Sequence, residues 1–209
     1  REFLEKIETG KAADNPMAAA REAMRAPLPK RFYKAAAVAP SGQAFGVQLD
    51  GKPIRTPGRR VLELATRAAA EIVAAEWNAQ GEHIDPATMP ATRIANTAID
   101  GVARDPQAVL EDILKFASGD LLFYRADGPS GLVARETELW DPVIDWCRDN
   151  LGANFILAQG IVHTAQPREA LAIFGARLRT HDRAMRLACL HTITSLTGSA
   201  LLALPLALA

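Results

Sequence analysis

Glu82 and Asp85 flank His83, and Asp120 precedes Tyr124 and Arg125 by a few positions. An acid beside a base or a phenol is the raw material of proton transfer. General acid–base catalysis needs two such groups within hydrogen-bond reach, with their pKa values pushed apart. The spacing here predicts something plainer. Glu82–Asp85 lies in a stretch that reads as a loop, and Asp120 follows Gly119 where a capping aspartate would. The catalytic alternative is a small-molecule enzyme with a cleft near Asp120 and Tyr124, and with Arg125 and His83 on its walls. It requires a fold that gathers those groups.

Other chemistries find no support. There is no Gly-x-x-x-x-Gly-Lys-Ser/Thr phosphate loop, no Gly-x-Gly-x-x-Gly after a strand, and no His-Glu-x-x-His. Ser195 and Ser199 do not stand in the strand–turn–helix setting of a nucleophile elbow. His83, His163, His181 and His191 are scattered rather than paired at metal-ligand spacing. Cys147 and Cys189 are far apart and read as small apolar residues of helices, which suits a reducing compartment. No catalytic residue, metal site or cofactor is expected.

The 24 basic and 24 acidic side chains give a formal net charge of +0. That balance argues against nucleic acid as a partner and offers no pull toward an acidic membrane surface. The run Leu196–Ala209 is too short for a span and is interrupted by Pro205, so a buried helix is expected there and no membrane insertion.

Behind these residues stand two kinds of pattern. Residues 1–29 read as an N-terminal arm, Ala-rich and charged, with Phe3, Leu4 and Ile7 at helical spacing. Residues 30–65 read as a small β domain. Phe32–Val38 and Gln43–Leu49 alternate as strands about a Pro40-Ser41-Gly42 turn, and Asp50-Gly51 is a type I′ hairpin signal. Residues 66–209 read as a helical domain. Thr66 and Asp105 are N-caps, the latter followed by Pro106, and Gly119 is a stop. Pro142 predicts a kink or restart with Asp141 as cap, Pro167 opens a helix, and Asp182 caps the last one. Strands followed by a run of helices predict an α+β fold: a small N-terminal antiparallel β domain, then a larger α-helical one.

Three strings then fall in order. Arg31-Phe32-Tyr33-Lys34 leads to Asp50-Gly51-Lys52-Pro53-Ile54-Arg55-Thr56-Pro57. Glu76-Trp77 leads to Ile84-Asp85-Pro86-Ala87-Thr88-Met89-Pro90 and on through Arg93 and Asn96 to Asp100. Asp120-Leu121-Leu122-Phe123-Tyr124-Arg125-Ala126 is followed by Trp140-Asp141-Pro142. Together they resemble the F1-ATPase assembly chaperones specific for the α subunit, of mitochondrial and alphaproteobacterial type.

The resemblance implies a non-enzymatic role. The protein would bind the unassembled F1 α subunit, shield its β-facing interface and release it during assembly. It implies a monomer of the bacterial cytoplasm, or of the mitochondrial matrix. It also implies an acidic, tryptophan-containing tail beyond Ala209. Asp50, Gly51, Arg55, Pro57, Arg93 and Asn96 are the structural motif residues, with Arg93 expected to pair with Asp85 or Asp120. Trp140 and Trp146 are six apart, about 240° around a helix, so either the chain bends at Pro142 or one indole is exposed. Trp140, Trp146, Asp120 and Arg125 are the candidate partner-binding residues.

Overall fold

The computed structural model describes residues 28–181 and 183–207. The helical spacing at Phe3, Leu4 and Ile7 and the cap expected at Asp182 lie outside the described residues. Two compact units are present. In the smaller, residues 28–32 and 80–85 run antiparallel, tied by Arg31 N–H to Glu82 O at 2.8 Å and Ile84 N–H to Pro29 O at 2.9 Å. The Arg31 guanidinium also donates to Gln80 O.

The larger unit, residues 33–79 and 86–207, has the expected α+β layout. Its sheet comprises β1 (Ala36–Ser41), β2 (Ala44–Leu49), β3 (Lys52–Pro53) and β4 (Glu63–Leu64). β2 pairs antiparallel with each of the other three. The first strand starts later than its alternation suggests. Lys34 and Ala35 give their N–H groups to the Asp50 carboxylate instead of to a ladder, at 3.0–3.2 Å. It also ends later. Pro40 and Ser41 pair with Phe45 and Ala44, which an edge strand permits because the missing proline N–H faces no partner. Asp50 (φ 47°) and Gly51 (φ 81°) adopt the two positive φ values that a type I′ hairpin needs.

Helix α1 (Arg67–Asn78) covers this sheet with Ala70, Val73 and Ala74, spaced to share one face. Thr66 caps it, accepting from Ala69 N–H at 3.2 Å. The Asn78 amide at its end clamps Ala36, accepting from its N–H and donating to its O, both at 2.8 Å. Tyr33 adds an edge-on ring contact to Trp77 at 5.5 Å and a bond from its hydroxyl to Trp77 O at 2.7 Å.

The helices that follow are α2 (Pro90–Thr97), α3 (Pro106–Ser118), α4 (Ser130–Trp146), α5 (Arg168–Leu178), α6 (Ala184–Thr197) and α7 (Ala200–Leu206). Wide π-type turns, Ala98–Val102 and Cys147–Leu151, extend α2 and α4. Asp105 and Gly119 bound α3 as expected. The apolar run from Leu196 is divided by Gly198, and Leu196 and Leu206 are exposed; its middle, Ala200, Leu201, Ala203 and Leu204, is buried as a core helix. α4 does not restart at Asp141: it runs straight through Pro142. Proline there removes one bond, to the carbonyl of Glu138, and both residues are exposed, so water can serve that carbonyl. The helical core is built on Ile113, Phe123, Phe174, Leu178, Leu187 and Leu201, each at most 1% exposed. Phe155 bridges Phe123 and Phe174, with ring centroids at 5.0 and 6.2 Å.

Candidate partner-binding site

Leu121–Phe123 forms a short 3-10 turn and Tyr124–Arg125 a two-residue strand, β5. β5 pairs in parallel with β6 (Ala158–Gln159), and Gly160 N–H bonds Arg125 O at 2.8 Å. This pairing presents the corner that follows: Ile161 is 95% exposed and Val162 75%. Tyr124 Oη and His163 Nδ1, 3.2 Å apart, hold the loop's far side.

The Arg125 side chain, only 13% exposed, turns toward α4. Its Nε donates to Leu122 O at 3.2 Å, and its guanidinium carbon lies 5.4 Å from the Trp140 ring centroid. Nη2 lies 2.8 Å from Asp141 Oδ1 but off the axis of a hydrogen bond, so that contact is ionic. Glu136 accepts from Ala126 N–H at 2.8 Å and ties the same helix to the strand. Arg125 therefore joins two exposed apolar features, the Ile161–Val162 corner through its backbone and α4 through its side chain. None of the 17 residues of α4 is fully buried. Leu132 and Leu139, two turns apart on one face, are 44% and 55% exposed. Exposed apolar side chains of this kind are candidates for contact with a partner protein.

The other predicted residues fall elsewhere. Trp140 and Trp146 are both half-buried against the helical core, so neither indole is left exposed. Asp120 is 0% exposed and bears on no surface. Its Oδ2 accepts from Ser199 Oγ–H at 2.9 Å and Leu201 N–H at 3.0 Å, and Oδ1 accepts from Leu122 N–H at 3.1 Å. It fastens α7 to the 3-10 turn. Burial raises its pKa above the ordinary carboxylate value, against the pull of those bonds. The buried Cys147 thiol is pushed up to about 12 by desolvation first and then by the Asp120 charge.

Arg93 is exposed, and no ion pair to it is found among the described residues; Asp120 is engaged by Ser199 and Leu201 instead. The anchor of α2 is Glu76, whose carboxylate accepts from Ala91 N–H (2.6 Å), Thr92 N–H (2.8 Å) and Thr92 Oγ1–H (2.7 Å). It supplies the cap that Met89 cannot. Asn96 Oδ1 is buried without a hydrogen-bond partner among the described residues. Arg55 donates to Arg59 O at 2.9 Å across the turn that contains Pro57. That turn is held by Asp100, which accepts from Thr56 Oγ1–H and Gly58 N–H, each at 2.7 Å. The Thr56 bond, the Gly58 bond and nearby arginines keep the Asp100 carboxyl below the usual range, outweighing its desolvation. Sequence reasoning missed Ile161 and Val162. The available signal was a β-branched pair between Gly160 and His163, in a stretch without helical periodicity.

Comparison with known proteins bears on the family and the fold. A family model described as the ATP12 chaperone protein matches residues 30–148. The crystal structure of the Atu1473 protein from Agrobacterium tumefaciens is similar at 52% identity and a TM-score of 0.81, over 93% of this chain and 73% of that one. That of Atp12 from Paracoccus denitrificans is similar at 38% identity and a TM-score of 0.78, over 85% of this chain and 76% of that one.

Proposed function

This chain belongs to the ATP12 chaperone family, and from that premise we propose that it binds the unassembled α subunit of F1-ATPase, shields its β-facing interface and promotes F1 assembly. The observation that carries this reading is the set of exposed apolar side chains on the two segments that Arg125 ties down: Leu132 and Leu139 on α4, Ile161 and Val162 beside β6. A subunit awaiting its ring neighbours exposes apolar interface that aggregates unless covered. Exposed apolar side chains on segments held in place by a salt-bridged arginine suit transient cover, because apolar contact provides grip and polar groups set register. The protein acts here as a monomer standing in for a neighbouring subunit, in the bacterial cytoplasm or mitochondrial matrix. No helix among the described residues is long and apolar enough to cross a membrane.

Binding rather than catalysis is the activity this geometry favours. The acid of the catalytic alternative, Asp120, is buried and spent on Ser199, Leu122 and Leu201. The test is capture of purified F1 α subunit against purified β subunit, with light scattering to follow aggregation. Selective capture of α with suppressed scattering is expected. Equal capture of both subunits, or no capture of α, overturns the proposal.

A further inference from the structure

Away from the Arg125 face, a hollow of about 380 Å³ opens between the β4–α1 junction and helices α6 and α7. Its walls are apolar: Leu64, Ala69, Met185, Cys189, Ile193 and Leu206 contribute. A second hollow of about 300 Å³ shares Leu64, Ala65 and Met185 with it and continues to Ile99 and Ala103. The two hollows adjoin at the shared residues and are together called the trough; a bound segment would seat its apolar side chains in them, as in helix-in-groove recognition. Among the described lining residues three arginines, Arg60, Arg183 and Arg186, stand against one acid, Glu63. Arg183 and Arg186 stand exposed in the wall of the first hollow, and neither meets a carboxylate among the described residues. Arg186 has only His181 Nδ1, at 3.4 Å. Glu63, the one acid lining the second hollow, already accepts from Ser41 Oγ–H.

An apolar floor with unpaired guanidinium groups on its rim complements an apolar segment carrying carboxylates, and repels a basic one. We propose that this trough docks an apolar, carboxylate-flanked segment of the client, giving the chaperone a second grip separate from the Arg125 face. The proposal rests on the chaperone reading above. It explains how a protein of formal net charge +0 can still select its client electrostatically, through a local excess of positive charge.

Cys189 makes the trough directly readable. It is half-buried in the wall, whereas Cys147 is 0% exposed in the core. In the full-length protein, N-ethylmaleimide alkylation followed by mass spectrometry should modify Cys189 at alkaline pH and leave Cys147 untouched. Added F1 α subunit should slow Cys189 alkylation at least about fivefold. The peptide acetyl-Glu-Leu-Leu-Ala-Leu-Leu-Glu-amide should protect Cys189 better than its Lys-flanked counterpart. In the R183E/R186E protein that preference should reverse, by about tenfold in all, since an exposed charge pair contributes up to roughly fivefold.

Capture of α with an unchanged Cys189 rate overturns the trough and leaves the chaperone reading standing. Failure to capture α removes both. Cys189 that is slow in the lone protein and quickens when α is added means the protein's own chain fills the trough, which also overturns the proposal. Equal protection by the acidic and basic peptides overturns the charge argument.

Discussion

Asp120 and Glu76 are both carboxylates that satisfy the first N–H groups of a helix they do not belong to. Capping of this kind supplies acceptors to donors that the helix itself leaves unpaired. Burial gives Asp120 a pH signature. Its folded pKa is raised, so the folded chain holds the proton more tightly than the unfolded one does. The stability it contributes is complete below the ordinary carboxylate pKa and is lost as pH rises through the raised value. The stability difference between wild type and D120N, from urea unfolding, should therefore shrink between pH 4 and pH 7. D120A should cost about 2–3 kcal/mol, because Leu201 N–H, Leu122 N–H and the Ser199 hydroxyl lose their acceptor in a dry site. A pH-independent difference would mean that Asp120 does not titrate in this window.

At the scale of elements, the turn after β3 is fastened to the π-type turn Ala98–Val102 through Asp100. A Cβ on Gly58 would lie 2.5 Å from Asp100 Oδ1, whereas one on Gly101 meets nothing within 4 Å. Gly58→Ala should therefore destabilise by about 1–3 kcal/mol through overpacking. Gly101→Ala should be neutral, or stabilising by up to about 1 kcal/mol, since it lowers the entropy of the unfolded chain. Thermal melts of the two variants decide it, and equal Tm values would remove Asp100 as the fastening point. The same scale explains the family strings. Asp50 binds the Lys34 and Ala35 amides and Glu76 caps α2, so the first two strings are each closed on themselves, while the Tyr33–Trp77 bond ties one to the other.

For the whole molecule, the proposed client face and the core make opposite demands. Core residues such as Phe123 and Phe174 are fully inside, while Leu132 and Leu139 stay in water beside Arg125's anchor helix. Replacing both leucines by aspartate should leave folding stability within about 0.5 kcal/mol per site, as exposed substitutions usually do. Capture of F1 α should fall at least about tenfold, read by pull-down with circular dichroism melts as control. Unchanged capture would move the client site off α4.

The α+β order, the Asp50-Gly51 hairpin, the caps at Thr66 and Asp105 and the stop at Gly119 were legible in the sequence, because each depends on neighbours a few residues away. So was the burial of the last helix, since its apolar run is local. The ends of β1, the unbroken α4 and the partner of Glu76 were not legible. Each turns on surroundings that only the folded chain has: the Asp50 carboxylate, the solvent exposure of Glu138 and Pro142, the amides of Ala91 and Thr92. The site divides in the same way. Arg125 and Trp140 could be singled out by residue type, and their stacking could not. Asp120 is the cap that its place after Gly119 suggested, accepting from Leu122 N–H, but its burial exists only once Ser199 and Leu201, some eighty residues on, close over it. Local propensities write the elements into the sequence, whereas the partner of a buried charge and the exposure of an apolar corner exist only after distant segments have packed.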